Sequence, residues 1–297
     1  MSHPRNQARP ILVVGATGRI GGELIRLLAA AGKPVRALVR PGSAATASFA
    51  QDVEIVPGDL GDRDSLDVAT KGIQAAFIAS RDHPDQVQWE TNLIASLEAR
   101  APVQLVKVSA FAASLDPPPG YGRNHAAIEA RLRESRLPWT VLQPYMYMQN
   151  FLEIADAVRY AGRIPLPLGH SRVAFIDTRD VARAAASVLG ESGHDEQTYV
   201  LTGPESLRCA DVAEAMTAVL ARKVGYVPVP QWLAGRLMRL SGATDWDVEM
   251  RTELFQMLRR NGEADTNDTL ARLTGAGPTP LQAFLRDHRP VFARSGR

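Results

Sequence analysis

The sequence predicts an α/β protein: a Rossmann-type doubly wound parallel sheet with a smaller, mainly helical C-terminal lobe. Three observations predict it. Short apolar runs rich in β-branched residues alternate with helically spaced apolar residues through the first half. A glycine loop, Gly15-Ala16-Thr17-Gly18-Arg19-Ile20-Gly21, joins the first run to the first helix. Residues able to meet a ligand stand just after one run after another. Strand–helix alternation at this spacing implies right-handed crossovers, and ligands of such sheets bind beyond the carboxyl ends of the strands.

Each element has its own pattern. Ile11-Leu12-Val13-Val14 is continuously apolar, as expected of a strand buried on both faces. The helix after it carries Ile20, Leu24, Leu27, Leu28 and Ala31 on one face, and Gly32 stops it. Val35–Val39, Val53–Val56 and Ile73–Ala79 read as strands two to four. A helix with Trp89, Leu93 and Leu97 leads to strand five, Val103–Val108, and a helix at about Asn124–Ser135 precedes strand six, Trp139–Leu142. Further on, Phe175–Asp180 introduces a helix of Val181, Ala184, Ala185 and Val188, and Thr198–Leu201 reads as a short strand. From Ala210 onward helices dominate. The expected division is residues 1–150 as the nucleotide-binding core and 151–297 as a lobe over its nucleotide edge, with about 173–203 returning to the sheet.

Composition excludes several classes. Of 297 residues, 45% are hydrophobic and 22% charged, which fits a packed globular chain rather than a disordered one. A net charge of +2 offers nucleic acid or an anionic membrane no broad basic surface, so neither is an expected partner. The single cysteine, Cys209, permits no intrachain disulfide, and it reads as a packing residue rather than a nucleophile. Met1–Pro10 is polar, without the apolar run of a signal peptide, and no stretch approaches the roughly eighteen apolar residues of a membrane span. The expected location is cytoplasmic, and a homodimer is left open.

The glycine loop carries the first functional reading. Between a strand and a helix, Gly15 suits the tight turn, Gly18 the approach of backbone N–H groups to a pyrophosphate, and Gly21 close packing of helix on sheet. Thr17, Arg19 and Ile20 line the same loop, at the positive end of the helix. Strand two ends on Arg40, where an NAD enzyme places an acid for the ribose 2′-hydroxyl. An arginine there grips a 2′-phosphate instead, so the expected cofactor is NADP(H). Asp59 and Leu60 after strand three suit an adenine-edge contact, or else a capped turn before the helix that starts at Asp62. Ala79 and Ser80 after strand four are expected to line the cofactor.

GATGRIGGEL, the Gly58-Asp59-Leu60 turn, Ser109-Ala110, the run Asn124-His125 to Ile128-Glu129, and Leu137-Pro138-Trp139 to Gln143-Pro144 resemble the NmrA-like atypical short-chain dehydrogenases. So do Met148-Gln149-Asn150, Phe175-Ile176-Asp177 with Asp180, and Leu201-Thr202-Gly203-Pro204-Glu205. The resemblance implies the fold and dinucleotide binding over nearly the whole chain. It implies a reductase of quinones, dyes, imines or enones, or a redox-sensing regulator without turnover. Short-chain dehydrogenases use a Ser, a Tyr and a Lys four residues after the Tyr. Here Ser109 and Tyr121 fit, but His125 replaces the Lys, and Gln143 stands where relatives usually have Arg.

The expected chemistry follows. His125, Tyr121 and Ser109 are the catalytic candidates, with the proton donor open between His125 and Tyr121. Tyr145, Tyr147, Met148, Asn150 and Phe151 are candidates for a flat apolar substrate, although some of them must pack the lobe. His125 and Glu129 are spaced like metal ligands, but nothing near them completes a site, so no metal is expected. Lys107 reads as a charge neutralising a buried acid, and Asp177 with Asp180 as a helix-start pair. Trp232, Trp246 and Phe255 read as core packing before lid residues. The expected function is reduction of a small planar apolar acceptor (quinone, enone, imine or dye) by NADPH. The alternative is an NADP(H)-sensing regulator.

Overall fold

The computed structural model describes residues 9–43, 49, 52–100 and 102–293. Residues 1–8 of the polar N-terminal stretch lie outside it. The first elements are β1 (Ile11–Val14), α1 (Arg19–Ala30), β2 (Val35–Val39), β3 (Glu54–Pro57), α2 (Arg63–Ala69), β4 (Ala75–Ile78), α3 (Gln86–Glu98), β5 (Gln104–Val108), α4 (Gly122–Arg133) and β6 (Trp139–Pro144). Next come α5 (Asn150–Glu153), β7 (Arg163–Leu166), β8 (Arg172–Val173), α6 (Thr178–Gly190), β9 (Gln197–Leu201), β10 (Leu207–Arg208), α7 (Cys209–Leu220) and β11 (Gly225–Pro228). The chain closes with α8 (Gln231–Leu240), α9 (Asp245–Asn261), α10 (Thr269–Thr274), α11 (Leu281–Asp287) and α12 (Arg289–Phe292).

The main sheet is seven-stranded and parallel, in the order β3-β2-β1-β4-β5-β6-β9. β1 lies in register with β2 on one side (Ile11 opposite Val35) and with β4 on the other (Ile11 opposite Ala75). All four β1 residues are buried, as a central strand covered on both faces requires. The strand order reverses at β1, so the loop after it opens at the topological switch point.

The α1 face differs from the expected one. Ile20, Leu24, Ile25 and Leu28 are buried, whereas Leu27 is half-buried and Ala31 is exposed beyond the last turn. The helix ends at Ala30, and Gly32 follows with a left-handed φ of 67°.

The chain forms two compact units. The first comprises Met1–Ser109, Asn124–Gln143 and Val181–Tyr199; the second comprises Ala110–Arg123, Pro144–Asp180 and Val200–Arg297. This differs from a single boundary at residue 150. The loops that leave β5 and β6 already belong to the second unit, and the segment returning to the first is 181–199.

The first unit packs α2, α3 and α4 on the sheet around Leu12, Leu66, Ile78, Leu93, Leu97, Leu105, Ile128 and Val141. The second unit has its own core of Phe151, Phe175, Val212, Met216, Phe284 and Phe292, with the Phe151 and Phe175 rings 4.9 Å apart. It is less purely helical than expected, since β7 pairs in parallel with β11 and β8 pairs antiparallel with β10. Among the described residues no helix is long and apolar enough to cross a membrane.

Candidate active site

The glycine loop is closed by backbone at two of its glycines and open at the third. Gly15 has φ of 82°, and a Cβ there would lie 2.2 Å from the Ala79 carbonyl oxygen. A Cβ at Gly21 would lie 2.3 Å from the Gly15 carbonyl oxygen. Both positions therefore exclude any side chain, and together they press β1, β4 and the start of α1 into one turn. Gly18 is different. Its N–H donates to the Gly15 carbonyl at 2.9 Å, and a Cβ there would stand 3.1 Å from the same oxygen, tight but open on its other side.

Gly18 is also the N-cap of α1, with no side-chain cap and no acidic residue in the first turn. The first-turn N–H groups and the positive helix end thus have no side-chain cap and no first-turn acid against them among the described residues. Thr17, Gly18 and Arg19 are exposed around them, and Ile20 is buried beneath as an anchor. Arg40, directly after β2, is exposed as well. Neither Arg19 nor Arg40 has an acidic partner among the described residues. This donor set of glycine backbone, helix terminus and two unpaired guanidinium groups fits a dinucleotide with an additional phosphate.

After β3 the geometry realises the capped turn. The Gly61 N–H donates to the Asp59 carboxylate at 2.8 Å, and Asp62 caps α2 by accepting from the Asp64 N–H at 3.1 Å. The Leu60 carbonyl accepts from Asn92 Nδ2 at 3.0 Å. After β4, the Ser80 hydroxyl donates to Glu90 Oε1 at 2.7 Å. Asp59 and Ser80 therefore hold the loop edges with their side chains.

Two buried polar clusters stand at the carboxyl ends of β5 and β6 in the first unit. In one, the Ser109 hydroxyl and Gln143 Nε2, at 2.9 Å, donate to Glu129 Oε1, while Arg133 donates to Oε2 at 2.7 Å. Glu129 thus accepts three hydrogen bonds, two on Oε1 and one on Oε2. Ser109 has its only proton committed, leaving its oxygen as an acceptor. In the other cluster, Lys107 on β5 reaches Glu90 Oε2 on α3 at 2.7 Å and His125 Nδ1 on α4 at 3.3 Å. His125 is 7% exposed, and its Nε2 lies 3.6 Å from the Asp82 carboxylate.

Lys107 and Glu90 had no assigned part in the chemistry read from the sequence. The available signal was a lysine at the centre of a strand whose neighbours, Leu105, Val106 and Val108, mark it as buried on both faces.

The other candidates belong to the second unit. Tyr121 precedes α4, lies edge-on to Trp246 with centroids 5.4 Å apart, and donates weakly to the Asp247 carbonyl at 3.4 Å. Tyr145 stacks on Phe111 at 3.7 Å, and burial, then the charge of Asp265, pushes its phenol up. Tyr147 and Asn150 are half-buried. Met148 and Phe151 are each 1% exposed and pack in the core of the second unit. Between them and Asn150, Gln149 donates to Asp177 at 2.8 Å and accepts from the Thr178 N–H at 3.1 Å. Asp177 caps α6 through the Arg179 N–H at 2.9 Å, whereas Asp180 instead holds Thr279, accepting from its N–H at 2.6 Å and its hydroxyl at 2.7 Å. Trp232 is 70% exposed on α8, which corrects its expected packing role.

The model of the NmrA-like family matches residues 7–283. An NAD(P)H azoreductase of Xenophilus azovorans is 34% identical over 282 residues, covering 95% of this chain and 99% of that enzyme. The crystal structure of an NADPH-dependent quinone oxidoreductase of Escherichia coli complexed with NADPH has a TM-score of 0.84 at 26% identity, covering 94% and 99% of the two chains. The crystal structure of Citrobacter sp. triphenylmethane reductase complexed with NADP(H) has a TM-score of 0.81 at 27% identity, with the same coverage of 94% and 99%.

Proposed function

The chain belongs to the NmrA-like family, and from that premise we propose that it is an NADPH-dependent reductase of small planar apolar acceptors: quinones, enones, imines and dyes, azo dyes included. The observation that carries this reading is the cradle at Gly15–Gly21. Backbone excludes every side chain at its two ends, while Gly18 opens on a helix terminus without a side-chain cap, and Arg19 and Arg40 have no acidic partner among the described residues. Gly15, Thr17, Gly18, Ile20 and Gly21 hold the pyrophosphate end, with Arg40 and Arg19 on the 2′-phosphate. Asp59 and Leu60 border the adenine end, and Ala79 and Ser80 the middle, with the Asp59 and Ser80 side chains committed to their loops.

NADPH, when bound, supplies hydride to the acceptor; the protein supplies binding, orientation and exclusion of water. In this reading His125 donates a hydrogen bond to the acceptor as negative charge develops on it, because it belongs to the same unit as the cradle and keeps one ring nitrogen outside the buried cluster, and the proton that completes reduction comes from solvent. The Tyr121 hydroxyl is directed to Asp247 within its own unit. Ser109 acts as an acceptor that steadies Glu129. Tyr145, Tyr147 and Asn150 remain the substrate-contact candidates.

The test is steady-state NADPH oxidation by the purified chain against a panel of one quinone, one enone, one imine and one azo dye, with NADH as control. Acceptor-dependent oxidation that prefers NADPH is expected. Tight NADPH binding with no oxidation against any acceptor would select the sensing alternative, and absence of binding would overturn both.

A further inference from the structure

Lys107 is a costly residue where it stands. Its side chain is 1% exposed on the inner strand β5, where a lone ammonium is strongly disfavoured. Its three protons are all placed: on Glu90 Oε2 at 2.7 Å, on the Val108 carbonyl at 3.3 Å and on His125 Nδ1 at 3.3 Å. Buried as it is, the ammonium needs an acceptor for each of these protons. The third goes to an imidazole on another element, and that contact has a chemical consequence.

An ammonium donates and cannot accept. With Lys107 donating, Nδ1 of His125 must offer its lone pair, so the ring is neutral and its single proton sits on Nε2. Glu90 cannot undo this arrangement. Its Oε1 accepts from Ser80 at 2.7 Å and Gln86 at 3.2 Å, and its Oε2 is taken by Lys107. Nε2 lies on the side of Asp82, whose side chain is 42% exposed, at 3.6 Å, beyond hydrogen-bond length. The loop carrying Asp82 is held at the next residue: His83 stacks on Trp89 with centroids 4.2 Å apart, and Asn124 donates to the His83 carbonyl at 3.0 Å.

We propose that Lys107 is a positioning residue that fixes His125 as the neutral Nε2–H tautomer, so that the one N–H of the ring is aimed away from the buried cluster as a hydrogen-bond donor. A neutral imidazole in this state stabilises developing negative charge by donation, a role distinct from that of an imidazolium acid. It also gives a reason why the chain has no lysine one helical turn after Tyr121. The cation comes from strand β5 and acts through the histidine. Only the use of the aimed proton rests on the reductase reading; the tautomer assignment stands on the cluster itself.

The test is ring-nitrogen NMR of the full chain labelled with 15N-histidine. The chain has six histidines, and the His125 signals are assigned by their loss in His125→Gln. A proton-bearing Nε2 and a bare Nδ1 are expected. A proton on Nδ1 in the unmodified chain overturns the proposal whether or not any variant folds. The paired substitution Lys107→Met with Glu90→Gln removes both buried charges at nearly constant volume, and it is expected to release the ring to a mixture of tautomers. An unchanged Nε2–H ring in the folded double variant also overturns the proposal. With an accepted substrate, the double variant is expected to lose about ten- to a hundredfold in kcat with NADPH affinity within about twofold, whereas a purely structural role would lower melting temperature and affinity together. If none of the panel's acceptors supports NADPH oxidation by the unmodified chain, the reductase reading fails and the spectrum still decides the tautomer.

Discussion

In the proposed reading Arg40 decides the choice between cofactors, because it has no acidic partner among the described residues and stands where an NAD enzyme keeps a carboxylate. A charge-assisted contact is worth about 1.5–3 kcal/mol, so Arg40→Ala is expected to weaken NADPH binding about tenfold or more while leaving NADH nearly unchanged. Equal calorimetric affinities of the unmodified chain for the two nucleotides would contradict this. His125 and Tyr121 separate in the same way. His125→Ala is expected to lower turnover about a hundredfold or more with little effect on NADPH affinity, as loss of a positioned hydrogen-bond donor to developing charge does. Tyr121→Phe should leave turnover close to that of the unmodified chain, because its hydroxyl is engaged with Asp247. Full activity in His125→Ala would remove it from the chemistry. Cys209 is a quieter case: burial, and after it the charge of Asp211, pushes its thiol up to about 12. The folded chain should therefore resist thiol reagents at pH 8 and react once unfolded. Rapid labelling of the native protein would contradict that burial.

At the scale of elements, the three loop glycines should fail in different ways. A side chain at Gly21 meets the Gly15 carbonyl at 2.3 Å, backbone that cannot yield without moving β1 or α1. Gly21→Ala is expected to cost about 1–3 kcal/mol of stability. Gly18→Val asks only for a shift of a few tenths of an ångström, and it fills the space before the helix terminus. That variant should keep its melting temperature and lose NADPH; retained affinity in a folded Gly18→Val chain would reduce the loop to a turn. The N-terminus of α6 makes a pH-dependent statement. Burial alone raises the Asp177 carboxyl, but hydrogen bonds from the side chain and N–H of Arg179 and from Gln149 outweigh it and hold it below the ordinary carboxylate range. A carboxyl depressed in the folded state favours folding above its unfolded value of about 4, and that contribution is lost as pH falls through the folded value. Between about pH 5 and 3 the melting temperature should fall less steeply in Asp177→Asn than in the unmodified chain. Parallel slopes would mean that the depression is absent.

At the scale of the whole molecule, the two units were unequally legible in the sequence. The first unit announces itself because a central parallel strand is apolar on both faces, so Ile11–Val14 and Val35–Val39 read directly as strands. Its glycine loop is constrained by backbone contacts that no other residue type permits. The second unit is built from segments separated in sequence, and strand pairs such as Arg163 with Gly225 have no local pattern to betray them. Met148 and Phe151 show the same limit: an apolar side chain after a strand is equally suited to a pocket or a core, and only packing decides. The buried clusters were half legible. Ser109 and His125 follow from position, but the roles of Glu90, Lys107 and Glu129 depend on which side chains three different elements bring together. The central claim, that this fold moves hydride from NADPH to a planar acceptor, is tested most directly by isotope transfer. NADPH deuterated on one face of nicotinamide C4 is incubated with the chain and the best acceptor of the panel, and the reduced product is examined by mass spectrometry. One deuterium per product molecule, delivered from a single face, is the predicted result; NADPH that stays bound and unconsumed, or a reduced product that carries no deuterium from either face, would contradict it.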